Sequence, residues 1–441
     1  MSTSSKLPVG AAPPVLLPML FIGLMFFILG FVTWLNGSLI PFLKIVCDLS
    51  NLQALWVTFA FYIAYTVMAL PSAAILARTG YKNGMTLGLA IMAIGALIFI
   101  PAAKSSHYGV FLAALFTLAT GMTLMQTAIN PYIVCIGARE SAAMRISIMG
   151  LFNKGAGIVV PLVFSALILS GIEQFSDAAL ASMDAAGRQA LRSELGARLI
   201  YPYAVMAGGL LLFTLLIHFS KLAEPVLEQA EGSTDSGSTQ RFGVLQFPQL
   251  VLGALALFAY VGVEVIAGDT IGLYGRNLGV KNFAVLTSYT MGFMVLGYSL
   301  GVLLIPKYVA QKTALLASAL AGLVFTAGVA LSSPSSALSQ ALLGWAGVPA
   351  VPDSVFCLAL LGLANALVWP AVWPLALEGL GKYTAAGSAL LIMGIAGGAL
   401  LPMAYGRLSE ASNPQAGYWL MLPCYALILY YAAHGHKLRR W

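Results

Sequence analysis

Three ionisable side chains stand inside apolar sequence, where a charge needs a reason. Lys154 falls in GLFNKGAG, and Glu264 and Asp269 fall in YVGVEVIAGDTIGLYG. A charge at the centre of a lipid bilayer costs at least about 2.5–3.5 kcal/mol on insertion scales, so each is expected to have a partner or a task. At a rise of about 1.5 Å per residue, Lys154 and Glu264 both reach mid-helix when their segments are entered from the same side. Lys154 is therefore expected to pair with Glu264 or Asp269, and binding nearby to compete with that pair. Losing one partner of a buried pair strands a charge at about 3–5 kcal/mol, enough to tie occupancy to conformation. The alternative is a permanent structural ion pair, or a lysine whose stem carries its ammonium to a polar wall.

A second set is neutral. Asn36, Gln126, Asn130, Asn153 and Asn365 offer donors and acceptors together, which suits hydroxyl groups. Tyr260, Trp369 and Trp373, with Trp34, Tyr62 and Tyr65, supply flat apolar faces of the kind that receive the C–H face of a pyranose. Each of these residues also has a structural use, in interhelical hydrogen bonds or in the aromatic belts at a membrane surface.

The elements that must position these groups follow from composition. Of 441 residues, 60% are hydrophobic and 8% charged, which excludes a soluble fold with an ordinary polar surface. A hydrocarbon layer of roughly 30 Å takes about 20 apolar residues per helix. Such runs occur at about 15–43, 54–77, 85–103, 108–136, 146–171 and 200–220, and again at about 248–275, 283–305, 313–331, 355–377, 384–406 and 417–433. Between the two sets, residues 222–244 are rich in acids, Ser and Gly and are expected to be a linker. This gives an N-terminal six-helix unit over 1–221 and a C-terminal one over 245–441.

The net charge of +7 sits in short loops and reads as a topology signal, not as a nucleic-acid surface. With the N-terminus in the cytoplasm, Lys6, Arg78, Lys82, Arg139, Arg145, Lys221 and Arg241 fall inside, as do Lys437, Arg439 and Arg440. Lys44, Lys104, Arg188, Arg192, Arg198, Arg276, Lys281 and Arg407 fall outside, and Arg188, Arg192 and Arg198 among them lie in a longer loop where acids balance them. Both termini are thus expected in the cytoplasm of a bacterial inner membrane. The halves also echo each other. Pro131 corresponds to Pro374, the Ile-Met-Gly run at 148–150 to that at 392–394, and Pro161 to Pro402. Helices 4 and 5 thus repeat as helices 10 and 11, as in carriers built from parallel repeats.

Cys47, Cys135, Cys357 and Cys424 lie singly and are expected to be free thiols. His107, His218, His434 and His436 have no metal-ligand spacing. No nucleophile-base motif or phosphate-binding glycine loop is present, so no cofactor, metal or enzymatic activity is expected.

At FFILGFVTWLNGSLIPFLK, AFYIAYTVMALPSAAILARTGYKNGM and QTAINPYIVCIG the chain resembles the fucose, galactose and glucose symporter family of the major facilitator superfamily. The resemblance extends to YVGVEV and NALVWPAVWPLALEGLG. It implies an all-α membrane fold of twelve transmembrane helices in two pseudo-symmetric six-helix bundles. It also implies sugar uptake by alternating access, driven by a proton or sodium gradient, with the site between the bundles and no nucleic-acid partner. A monomer is expected. Arg78 and Lys82 in ARTGYKNG resemble the superfamily's basic conformational loop.

One departure matters. Fucose-type members carry acids just after the helix 1 Asn and before the Thr-Ala-x-Asn-Pro run, where this chain has Gly37 and Gln126. Neither titrates, so ion coupling is expected to use Lys154, Glu264 and Asp269. The run RISIMGLFNKGAG resembles the glucose/galactose and N-acetylglucosamine branch. A glucose or galactose importer ranks first and an N-acetylglucosamine importer second. A multidrug exporter of the same superfamily would favour a greasier cavity, and a membrane sensor would normally add a soluble domain.

Overall fold

The computed structural model describes residues 16–135, 142–168, 184–220, 243–305, 308–333, 337–346, 349–380 and 383–441. Among them, twelve helices are long and apolar enough to cross a membrane. They are α1 (Leu16–Cys47), α2 (Trp56–Thr79), α3 (Tyr81–Ser105), α4 (Tyr108–Cys135), α5 (Ala142–Leu167) and α6 (Ile200–Phe219), then α7 (Pro248–Asp269), α8 (Leu286–Leu304) and α9 (Gln311–Leu331). The set closes with α10, in two segments Asp353–Asn365 and Val368–Leu377, α11, in segments Thr384–Met393 and Gly397–Ala411, and α12 (Met421–Ala433). Of the expected linker 222–244, only Gly243 and Val244 are described.

Helix ends depart from the apolar runs where local chemistry overrides hydropathy. The expected loop 77–84 shrinks to one residue: Gly80, at φ 79°, ends α2 by donating to Leu76 O and α3 begins at once. Only a residue free of Cβ strain takes that φ readily. The segment before α6 is not plain loop. Asp184 caps a helix at Ala185–Arg198, accepting from Gly187 N, and this helix packs Leu191 and Leu195 inward. Arg192 pairs with Asp48 at 2.8 Å. The break in α10 at Ala366 and Leu367 precedes Pro370, which has no N–H to offer Ala366. In α11 a 3-10 turn spans Gly394–Ala396, and Gly397 lies against the backbone of Phe258 so closely that no side chain fits. Its counterpart in the expected repeat, α5, runs through unbroken.

Packing follows the membrane's demands. Large apolar side chains such as Leu212, Leu215, Leu303 and Val324 are exposed where lipid would cover them. α7 is the opposite case in its second half: every residue from 259 to 275 is buried, so this stretch of α7 and the start of its short continuation Ile271–Asn277 are enclosed by protein. A stretch of helix that meets no lipid can carry acids, and Glu264 and Asp269 lie there.

The halves meet through α1, α2 and α5 on one side and α7, α8 and α11 on the other. Hydrogen bonds between described residues of the two halves run from the level of Lys154 toward the face remote from the termini. Ser38 Oγ donates to Ala284 O at 3.0 Å, Ser288 Oγ to Ile158 O at 2.7 Å, and Leu52 N to Glu410 Oε1 at 2.9 Å. Gly37 is pressed against Gly268 O and Thr287 Oγ1. That face is shut.

Candidate functional site

Lys154 of α5 and Glu264 of α7 meet between the halves, Nζ to Oε1 at 2.7 Å, with a tenth of each side chain exposed. Sequence left Glu264 and Asp269 as alternative partners; the structure selects Glu264. The ammonium also stands 4.3 Å from the ring centroid of Trp34, a cation–π contact of the strength seen in desolvated sites, about 2 kcal/mol.

Trp34 is held by small residues of both halves. A Cβ added at Gly157 of α5 would meet Trp34 Cδ1 at 2.8 Å, and one at Gly268 of α7 would meet Cζ3 at 2.5 Å. Met291, Met294 and Tyr298 of α8 and Ala366 complete the cluster around the indole. Its Nε1 donates to Asn153 Oδ1 at 3.4 Å, and Asn153 Nδ2 donates to Phe26 O at 3.3 Å. Sequence pointed to Asn153 as a ligand amide. The structure gives both ends of that amide internal partners and makes Trp34 the link between it and Lys154. The signal was faint: one tryptophan two residues before Asn36.

Other expected residues keep unused hydrogen-bonding capacity. Asn36 is buried with Nδ2 unpartnered. Asn365 is fully buried; its Oδ1 accepts from Tyr425 at 2.8 Å while Nδ2 has no partner. Trp373 Nε1 is also buried and unpartnered. A buried donor without a partner costs about 1–3 kcal/mol unless water or a ligand meets it. Tyr260, Trp369 and Trp373 form a run of rings, with centroids 6.3 Å apart between the first two and 5.5 Å between the last two. Tyr260 lies one helical turn before Glu264, which puts this run beside the ion pair. Gln126 is half-buried, and the side chain of Asn130 lies outside the described residues.

Asp269 lies apart from the ion pair. It is fully buried, and Thr58 Oγ1 of α2 donates to its Oδ2 at 3.1 Å. Arg78 is exposed, while Lys82 Nζ donates to Ser220 O at 2.6 Å and fastens the start of α3 to the end of α6. Among the described residues no three His, Cys, Asp or Glu side chains gather as a metal site would require. Cys47, Cys357 and Cys424 are free thiols; the Cys135 side chain lies outside the described residues.

Residues 22–402 match the model of the Major Facilitator Superfamily. The chain is 32% identical over 420 residues to a glucose/galactose transporter of Brucella abortus biovar 1 (strain 9-941), covering 94% of this chain and 93% of that protein. It is 30% identical over 421 residues to a putative glucose/galactose transporter of Helicobacter pylori (strain ATCC 700392 / 26695), covering 94% and 95%. A crystal structure of the Escherichia coli fucose:proton symporter, FucP, superposes with a TM-score of 0.71 at 24% identity, covering 96% of this chain and 99% of that one.

Proposed function

The chain belongs to the Major Facilitator Superfamily, as a sugar transporter of its glucose, galactose and fucose symporter group, and we propose that it imports glucose or galactose by alternating access coupled to an ion gradient. The observation that carries the reading is the Lys154–Glu264 pair, which joins the two halves beside aromatic faces and unpaired amide and indole donors. Sugar hydroxyls supply the acceptors that Asn36, Asn365 and Trp373 lack, and the run Tyr260, Trp369, Trp373 takes the ring's apolar face.

Coupling resides in the ion pair. Rocking of the halves must stretch or break it, and separation strands two charges unless water, a substrate hydroxyl or an ion replaces the lost partner. A proton on Glu264, or a sodium ion beside its carboxylate, relieves the carboxylate's share of that cost, and water or a substrate hydroxyl must meet the ammonium. The names of the relatives, which include an L-fucose-proton symporter, favour a proton. The lysine and arginine distribution supports cytoplasmic termini, so the shut face is the outer one.

N-acetylglucosamine is the second reading, supported by the run RISIMGLFNKGAG around Lys154. Uptake of labelled glucose, galactose, N-acetylglucosamine and fucose into proteoliposomes, with proton and sodium gradients imposed separately, tests both. The reading expects concentrative uptake of glucose or galactose under one of the two gradients. Accumulation of none of the four sugars refutes it.

A further inference from the structure

The enclosure of Asp269 differs from that of Glu264 in having no counter-charge. Its side chain is completely buried, one oxygen accepts from Thr58 Oγ1 at 3.1 Å, and Oδ1 has no partner. Among the described residues no cation forms an ion pair with it. From α2 it faces Thr58 and the phenol of Tyr62. Along α7 the nearest charge is Glu264, already held by Lys154. From α1 and α8, Gly37 and Thr287 press on the neighbouring Gly268 carbonyl and bring no charge. α11 contributes Arg407 and Glu410 near its end, both exposed, and Glu410 accepts from Leu52 N. The continuation Ile271–Asn277 contributes Tyr274, which donates to Ser354, and Arg276 at its end.

An ionised carboxylate sealed here would have one neutral hydroxyl as its only partner, which protein interiors do not tolerate. The neutral acid is the form this enclosure accepts. The Thr58 contact also spans the halves, beside Ser38–Ala284 on the shut face. Parting α2 from α7 would break it and admit water to the carboxyl, which then ionises as an ordinary aspartate does near neutrality.

We propose that Asp269 and Thr58 form a proton-operated latch: the face remote from the termini shuts when Asp269 takes a proton from water on its own side, and opening returns that proton to the same side. The latch rests on alternating opening of the two halves and is independent of which sugar is carried. Because the proton re-emerges where it entered, Asp269 senses the pH of that compartment and moves no net proton across the membrane. Linkage gives the sign. Where the open state is ionised and the shut state neutral, the open-to-shut ratio rises up to about tenfold per pH unit, and acid holds the face shut.

The test places a thiol under the latch. Ser38→Cys changes one atom at a fully buried position whose hydroxyl bonds Ala284 O across the halves. The full-length protein in nanodiscs is pulsed with a hydrophilic maleimide from about pH 6 to pH 8.5. Labelling is read by mass spectrometry on the peptide bearing position 38, and normalised to the same protein unfolded in detergent at each pH. Labelling is expected to rise several-fold with pH. With Asp269→Asn, a permanently neutral mimic, it stays low throughout; with Asp269→Glu the rise persists; with Thr58→Val it is higher at the acid end. A flat profile in the Ser38→Cys protein, or the same rise in Asp269→Asn, overturns the latch. Should the Asn variant not fold, loss of the rise in Asp269→Glu, or no change at acid pH in Thr58→Val, overturns it equally. Failure to carry any hexose in the uptake assay would remove the sugar assignment and leave this result standing.

Discussion

Lys154 and Glu264 are 110 residues apart in the chain and 2.7 Å apart in space, and they come from different halves of the molecule. A contact of this kind is both a cost and a link. Each charge is tolerated because the other is present, so any motion that separates the halves at this level must first find a substitute partner.

The first prediction concerns stability. Lys154→Met or Glu264→Gln alone leaves one charge without its partner and should lower unfolding stability by about 3–5 kcal/mol, read as a drop in Tm in detergent. The double variant Lys154→Met with Glu264→Gln should recover most of that loss, because no charge remains, while transport stays impaired. Additive losses would show that the two side chains do not interact.

Trp34 should matter through its face. Trp34→Phe keeps an aromatic ring under the ammonium, whereas Trp34→Leu removes the cation–π contact, worth about 0.5–2 kcal/mol. Uptake kinetics should show a mild change for Phe and a loss of about 2- to 30-fold in kcat/KM for Leu. Equal effects from both would reduce Trp34 to a space-filling role.

Gly37 stands where the family resemblance leads one to expect an acid, and the structure leaves no room for one. A Cβ there would stand 2.8 Å from Gly268 O and closer still to Thr287 Oγ1. Gly37→Asp should therefore block closure of the face remote from the termini and reduce uptake to background, without creating a new proton dependence. Active transport by this variant would show that α1 and α7 part more readily than their packing implies.

Trp373 and Tyr425 separate binding from structure. Trp373→Phe deletes an N–H that has no protein partner, so stability should hold while KM rises by about tenfold, the value of one hydrogen bond to ligand. Tyr425→Phe instead leaves Asn365 Oδ1 bare, and should cost about 1–3 kcal/mol of stability as well. Thermal unfolding and uptake kinetics, measured side by side, check both.

The twelve spans were legible in the sequence because a lipid-spanning helix needs a long apolar run and little else. Lys154 and Glu264 stood out for the same reason, since charge within such a run is costly. The choice of Glu264 over Asp269 was not legible. It depends on the slot that Gly157 and Gly268 leave for Trp34, formed by residues of both halves and visible only once the halves meet. The partner of Asp269 was hidden for a similar reason: Thr58 is an ordinary helix threonine until α2 lies against α7. The breaks in α10 and α11 escaped the hydropathy reading because their residues are as apolar as the helices they interrupt, and only Pro370 and the crowding at Gly397 mark them.

The most direct test of the central claim is concentrative galactose uptake by Glu264→Gln and Lys154→Ala in proteoliposomes holding equal amounts of folded protein. If the ion pair ties occupancy to the movement of the halves, both variants lose gradient-driven accumulation by an order of magnitude or more. Accumulation at the unaltered level by both would contradict the account.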